Sequence, residues 1–296
     1  MNSTTILDFV EIGKVEIQNI RGDAYWSREV PFAIFILFFC SFSIFLQVLV
    51  MRVFILDHEL KRLPAFQLML LISVFDTIQL FIHLTAVYYI LDAKGHFEIQ
   101  DFVIGATINA SWVSMLLLSI LLNFNRISSI VFHFSTTTLF SQTMTIFYVY
   151  TILIVWLSFF LMNTIGLSRI VYLLPAYTWH YMADQPCSAI MRKISLNISL
   201  LDVIKSTVLS KKELTLTIQV LCISIFHIIG YITWEYLPIP WDLPIGVFLG
   251  HFVWMLWNSI NSVLYILINP RIRRGVILQL CPSREPNTML KMRSCY

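Results

Sequence analysis

Residues 243–274 read LPIGVFLGHFVWMLWNSINSVLYILINPRIRR. From Leu243 to Pro270 the stretch carries no formal charge for 28 residues, long enough as a helix to cross a hydrocarbon core of about 30 Å. The cluster Arg271-Ile272-Arg273-Arg274 that follows belongs on the cytosolic side of a membrane. Within the run, His251, Trp254, Asn258, Asn261 and Tyr265 recur at steps of three or four residues and so share one helix face. A polar and aromatic stripe on an otherwise greasy helix is expected to face a protein interior or a water-filled crevice, not acyl chains.

Composition carries the same message along the whole chain. With 296 residues, 58% hydrophobic and only 12% charged, it reads as a polytopic membrane protein and not as a soluble domain. The net charge of +3 therefore points to no nucleic-acid partner; the lysines and arginines crowd into a few segments between apolar runs. The five cysteines, Cys40, Cys187, Cys222, Cys281 and Cys295, are scattered without metal-ligand spacing or a disulfide framework, so neither metal nor cofactor is expected. No enzyme is expected either, because the histidines never take His-Glu-x-x-His spacing and no Gly-x-Ser-x-Gly elbow is present. A transporter would show internal repeats; none is visible, and that reading stands only as a distant alternative.

The apolar runs define an all-α transmembrane bundle over residues 30–270, with six spans at about 30–51, 65–91, 102–124, 143–167, 214–234 and 243–270. Residues 1–29 form an N-terminal tail without a visible cleavable signal peptide, and Asn2-Ser3-Thr4 is a glycosylation acceptor if this end is extracellular. Asn109-Ala110-Ser111 matches the same pattern but lies inside a span and should be inert. Asp76 falls in mid-span, where an ionised carboxylate costs about 3 kcal/mol, so polar partners or a proton are expected there. Residues 127–142 read as a loop. Between Arg169 and Glu213 no run is long enough to cross: Ile170–Ala183 is short and contains Pro175, and charges interrupt the rest. Residues 271–281 read as a juxtamembrane amphipathic helix along the inner leaflet, with Cys281 a lipidation candidate, and 282–296 as a C-terminal tail.

Several motifs, taken in order, carry a resemblance. Asn261-Ser262-Val263-Leu264-Tyr265 resembles the Asn-Pro-x-x-Tyr signature of rhodopsin-like G protein-coupled receptors, with serine in place of proline. Asp76 in Leu71-Ile72-Ser73-Val74-Phe75-Asp76 is placed like that family's second-helix aspartate. Asn125-Arg126-Ile127 is similar to the Asp-Arg-Tyr triplet closing the third helix, Trp156 stands where the fourth helix carries tryptophan, and Gln47 where the first carries asparagine. Phe75-Asp76-Thr77-Ile78-Gln79-Leu80 and Gly250-His251-Phe252-Val253-Trp254 look most like nematode serpentine chemoreceptors, class T first and class X as a sibling.

The resemblance implies a seven-helix receptor in the plasma membrane of a sensory neuron or cilium, surrounded by lipid. Such a receptor binds a small external ligand and promotes nucleotide exchange on a heterotrimeric G protein. It implies that Asn125 and Arg126 face the G protein, and that Asp76, Asn258, Asn261 and Tyr265 form a polar switch core. His83, Tyr88, Tyr89, Trp112, His251, Trp254 and Asn258 could line an aromatic ligand site, although packing and membrane-interface roles would explain them equally well. Departures matter too. Ser262 weakens the expected kink, no cysteine near the outer end of the third helix can pair with Cys187, and the family's fifth span is absent or degenerate in 170–210. Charge distribution suits seven spans with an outside N-terminus and six with an inside one almost equally. Exon loss or a faulty gene model would leave a receptor-derived six-span product without signalling activity.

Overall fold

The computed structural model describes residues 23–92, 99–131, 136–168, 170–173, 178–181, 187, 190, 191, 193, 218–227, 229 and 244–281. Asn2, the C-terminal segment 282–296, most of the region expected to lack a fifth span, and parts of the 214–234 run lie outside the described residues.

Four long helices come first: α1 (Asp23–Leu56), α2 (Pro64–Asp92), α3 (Ile99–Val131) and α4 (Gln142–Thr164). A short hairpin of β1 (Ile170–Leu173) and β2 (Thr178–Tyr181) follows, then α5 (Ile218–His227), α6 (Pro244–Ile268) and α7 (Pro270–Leu280). Five of these helices are long and apolar enough to cross a membrane; α5 is shorter. The helix assignment follows from sequence: each long run is apolar enough for a bilayer, and a helix hides its backbone polar groups in internal hydrogen bonds. α1 begins earlier than the charge pattern indicates, and α3 runs on to Val131, through residues read as loop.

α1 packs on α2, α2 on α3 and α3 on α4, while α6 returns to pack against both α1 and α2. α2 and α3 are the most enclosed of the five spanning helices, and α3 shows how the packing is reached. Its small residues Ala106, Ala110, Ser111 and Ser114 are fully buried and let neighbouring backbones come close, the usual means of association where lipid supplies no hydrophobic drive. α4 lies at the rim, largely facing outward, and is tied to α3 where Trp156 Nε1 donates to Ser111 Oγ at 3.2 Å. Leu68, Met69, Ile72, Leu116, Leu118 and Tyr265 belong to one buried cluster.

The run expected to continue to Pro270 breaks at Asn269. Asn269 Oδ1 accepts from the amides of Arg271 (3.1 Å) and Ile272 (3.4 Å), and Pro270 takes the first turn, where its missing N–H costs nothing. α7 therefore starts afresh and docks on α1. Gly275 sits so close that a Cβ there would meet Val53 Cγ2 at 2.8 Å, and Gln279 Nε2 donates to the Leu49 carbonyl at 3.3 Å. Ile272 and Val276 fill the seam.

Candidate functional site

The stripe read from the last span points inward: His251, Asn258, Asn261 and Tyr265 are all fully buried, and Trp254 is partly buried. Asn261 Nδ2 donates to Asp76 Oδ2 at 2.7 Å, joining α6 to α2 at mid-span, with neither residue exposed. Tyr265, one turn further on the same face, lies within electrostatic reach of Asp76 and packs its ring edge on Phe54 of α1 at 5.8 Å. Gln47 closes the third side: its Nε2 donates to the Asn258 carbonyl at 3.0 Å, and it also adjoins the Asp76 carboxyl. Asp76 Oδ1, Asn261 Oδ1, Ser73 Oγ and the Tyr265 hydroxyl are buried without a protein partner.

Ser262, in place of proline, leaves α6 continuous through this region. Its hydroxyl turns back to the Ser259 carbonyl at 2.9 Å, while Ser259 Oγ reaches Ser43 Oγ of α1 at 2.9 Å. Serine back-bonding of this kind bends a helix gently where proline would break its ladder.

Toward the other end of α2 and α6 the residues become aromatic. His83 lies edge-on to His251 (ring centroids 4.8 Å) and to Trp254 (5.5 Å), and its Nε2 is 3.3 Å from Asn258 Nδ2. Trp254 Nε1 donates to Gln79 Oε1 at 3.3 Å, and Trp112 of α3 bridges Trp254 (5.6 Å) and Trp257 (4.5 Å). His227 of α5 then meets Trp257 at 5.0 Å. The structure thus brings His83, Trp112, His251 and Trp254 into one cluster. Tyr88 does not join them: it is 55% exposed and points outward. Its neighbour Tyr89 takes the inward place, 5% exposed.

Tyr89 anchors the β hairpin, which sequence reading took only as a run too short to cross. Its hydroxyl donates to the buried Asp101 carboxylate, while its ring stacks on Tyr172 of β1 (5.3 Å) and meets Trp179 of β2 edge-on (6.2 Å). Tyr172 in turn reaches His251 at 5.9 Å, so the hairpin covers this end of the aromatic cluster. Gly105 of α3 makes the approach possible, since a Cβ there would lie 1.9 Å from the Ile170 carbonyl oxygen. Cys187 is a free thiol, its amide bonded to the Leu167 carbonyl at 2.9 Å. Hydrogen bonding and aromatic packing therefore hold the loop where a disulfide was missed.

At the opposite end, Arg126 turns its guanidinium onto its own neighbour, with Nε donating to Asn125 Oδ1 at 3.0 Å. Asn125 is 2% exposed, and its side-chain oxygen is occupied by the arginine. Nearby, Asn123 Nδ2 donates to Ser224 Oγ at 3.0 Å, tying α3 to α5. Asp57, just past α1, grips Arg271 at the start of α7 with two 2.7 Å bonds, and Glu59 takes a third at 2.7 Å. Burial raises the Asp57 carboxyl, but the Arg271 guanidinium and the amides of Leu60 and Glu59 outweigh it and hold it below the ordinary carboxylate range. Among the described residues no cluster of three or more His, Cys, Asp or Glu could hold a metal ion.

A family model described as "Serpentine type 7TM GPCR chemoreceptor Srt" matches residues 7–184 and 189–289. The chain belongs to the Srt family of serpentine chemoreceptors. No curated protein matches it. For an Srt protein the bundle is the expected architecture, and the polar α2–α6 contact and the aromatic cluster occupy successive levels of the same helix pair. Membership also sets the transporter alternative aside. The break between residues 184 and 189 falls inside the stretch where a fifth span was missing from the sequence.

Proposed function

We propose that this Srt protein is a G protein-coupled chemosensory receptor of the plasma membrane, which binds a small external ligand and activates a heterotrimeric G protein. The observation that carries the reading is the buried 2.7 Å contact between Asn261 and Asp76. Both residues belong to motifs that resemble those of the receptors, and their meeting in a buried contact supports a shared polar core between an aromatic cluster and a basic end. Ligand pressed among His83, Trp112, His251 and Trp254 would displace α6 relative to α2, and Asp76, Asn258, Asn261 and Tyr265 would re-pair. That change would free Arg126 from Asn125 to meet the G protein. Cys281, exposed at the end of α7, is the site proposed for lipidation, and Asn2 for glycosylation if the N-terminus is outside.

One observation favours a second reading, a product without signalling: the interruption of the family match at 185–188, within the region lacking a fifth apolar run. A single assay separates the two. The full chain in lipid nanodiscs is mixed with heterotrimers of the several Gα classes, and guanine nucleotide exchange is followed with and without a chemical library. Basal or ligand-stimulated exchange that is lost in Arg126→Ala supports the receptor. Exchange seen only after a 20-residue apolar helix is inserted between Gln185 and Ile194 supports the truncated product. No exchange in either form defeats the receptor reading.

A further inference from the structure

We propose that the aromatic cluster takes a small, flat, uncharged molecule carrying a hydrogen-bond acceptor, an aryl carbonyl compound by class, and that Trp257 is a donor that recognises it. That an external ligand enters there rests on the receptor reading above; its chemistry follows from three features of the cluster.

The first is the lack of spare charge. Among the described residues Asp76 and Asp101 are the buried acids, and no lysine or arginine is buried. Both acids are engaged: Asp76 accepts from Asn261 at 2.7 Å, and Asp101 accepts from the Tyr89 hydroxyl. A ligand cation or anion entering this level would leave water without a counter-ion, which makes either one expensive to bury.

The second is a set of polar atoms left over. Asn258 Nδ2 can only donate, so at 3.3 Å it gives its hydrogen to His83 Nε2, and the ring proton falls on Nδ1. His83 Nδ1, Trp257 Nε1 and Asn258 Oδ1 are then buried with no hydrogen-bond partner among the described residues. Neighbouring indoles differ: Trp254 donates to Gln79 Oε1 at 3.3 Å, and Trp156 to Ser111 Oγ at 3.2 Å. Two of the three left-over atoms are N–H donors. A buried donor without a partner is costly, and a ligand carbonyl relieves that cost.

The third is shape. Trp112 stands edge-on to Trp254 and Trp257, with ring centroids 5.6 and 4.5 Å apart, and His83 edge-on to Trp254 at 5.5 Å. Rings set this way offer faces and edges that a flat apolar ring matches. Trp257 is 4% exposed and touches both Trp112 of α3 and His227 of α5, so a molecule bonded to its N–H sits where three helices meet.

Four molecules of nearly one shape test the proposal: acetophenone, α-methylstyrene, benzoate and benzamidinium. Each is equilibrated by dialysis against the full chain in lipid nanodiscs, and uptake by empty nanodiscs is subtracted. Acetophenone should bind about five-fold more tightly than α-methylstyrene, which lacks the acceptor, and the two ions should not be retained. Trp257→Phe should bring acetophenone and α-methylstyrene near parity, whereas Trp156→Phe makes the same change outside the cluster and should keep the preference. Because a ratio is read, a merely structural role would lower both affinities and leave it unmoved. If Trp257→Phe binds neither molecule, His83→Phe decides, and it too should reduce the preference. No binding of acetophenone, retention of either ion as tightly as acetophenone, or a preference that survives these variants overturns the proposal. Binding is measured without G protein: a chain that takes acetophenone but drives no nucleotide exchange loses the receptor reading alone, and one that drives exchange only with a charged ligand loses this proposal alone.

Discussion

Replacing Gly105 by alanine puts the hairpin to a sharp test. The new methyl would lie 1.9 Å from the Ile170 carbonyl oxygen and 2.8 Å from its carbon, where real contacts essentially never fall below 3.0 Å. β1 must therefore retreat by about 1 Å, because the opposing atoms are backbone and no side chain can swing aside. Retreat draws Ile170 and Trp179, 3% and 2% exposed, away from α3 and from Tyr89. Overpacking of this sort costs about 1–3 kcal/mol; the middle of that range raises local opening roughly thirty-fold. Hydrogen exchange on the purified chain reads this directly. The amides of 170–173 and 178–181 should exchange faster by about that factor, while those of α4 stay unchanged. Unaltered protection of the hairpin in Gly105→Ala would refute the reasoning, because the loop would then not depend on close backbone approach.

Tyr89→Phe removes a donor from the buried Asp101 carboxylate and should lower stability by about 1–3 kcal/mol in detergent melts; an unchanged melt would contradict this. Asp57→Asn should loosen α7, accelerating exchange at residues 271–280 by an amount on the order of 1 kcal/mol, since Arg271 is 37% exposed and solvent screens the pair. The pH dependence follows from the depressed Asp57 carboxyl: its stabilisation is complete above the unfolded carboxylate value near 4 and fades only as pH falls through the lower folded value. α7 protection in the wild type should thus be flat from pH 8 to 5, and a loss beginning at pH 6 would contradict it.

The inward stripe of α6 was legible in the sequence because period and polarity agreed: five side chains at helical spacing in a charge-free run have only one way to avoid lipid. Asp76 was legible for the same reason, as a carboxyl in mid-bilayer needs a partner. The hairpin was harder. Ile170-Val171-Tyr172-Leu173 and Thr178-Trp179-His180-Tyr181 are rich in β-branched and aromatic residues, yet between long apolar runs they read first as a failed span. Tyr88 and Tyr89 could not be told apart, because they lie about 140° and 120° from the direction of His83 at 100° per residue. The break at Asn269-Pro270 was signalled by a capping asparagine before proline, but the missing charge hid it. Asn125 shows the limit of motif transfer: the pattern marks the position, whereas its burial beside Arg126 depends on how α3 packs.

The contact between Asp76 and Asn261 is tested most directly by exchanging the two side chains and measuring thermal stability of the full chain in nanodiscs. Asn261→Asp alone sets two carboxyls against each other at zero exposure and should cost about 3 kcal/mol. Asp76→Asn alone should cost less, because two amides can still bond. The account predicts that Asp76→Asn/Asn261→Asp recovers most of the loss, with carboxyl and amide merely traded across the same 2.7 Å contact. A double variant at least as unstable as the sum of the singles would contradict it, since the two residues would then not touch.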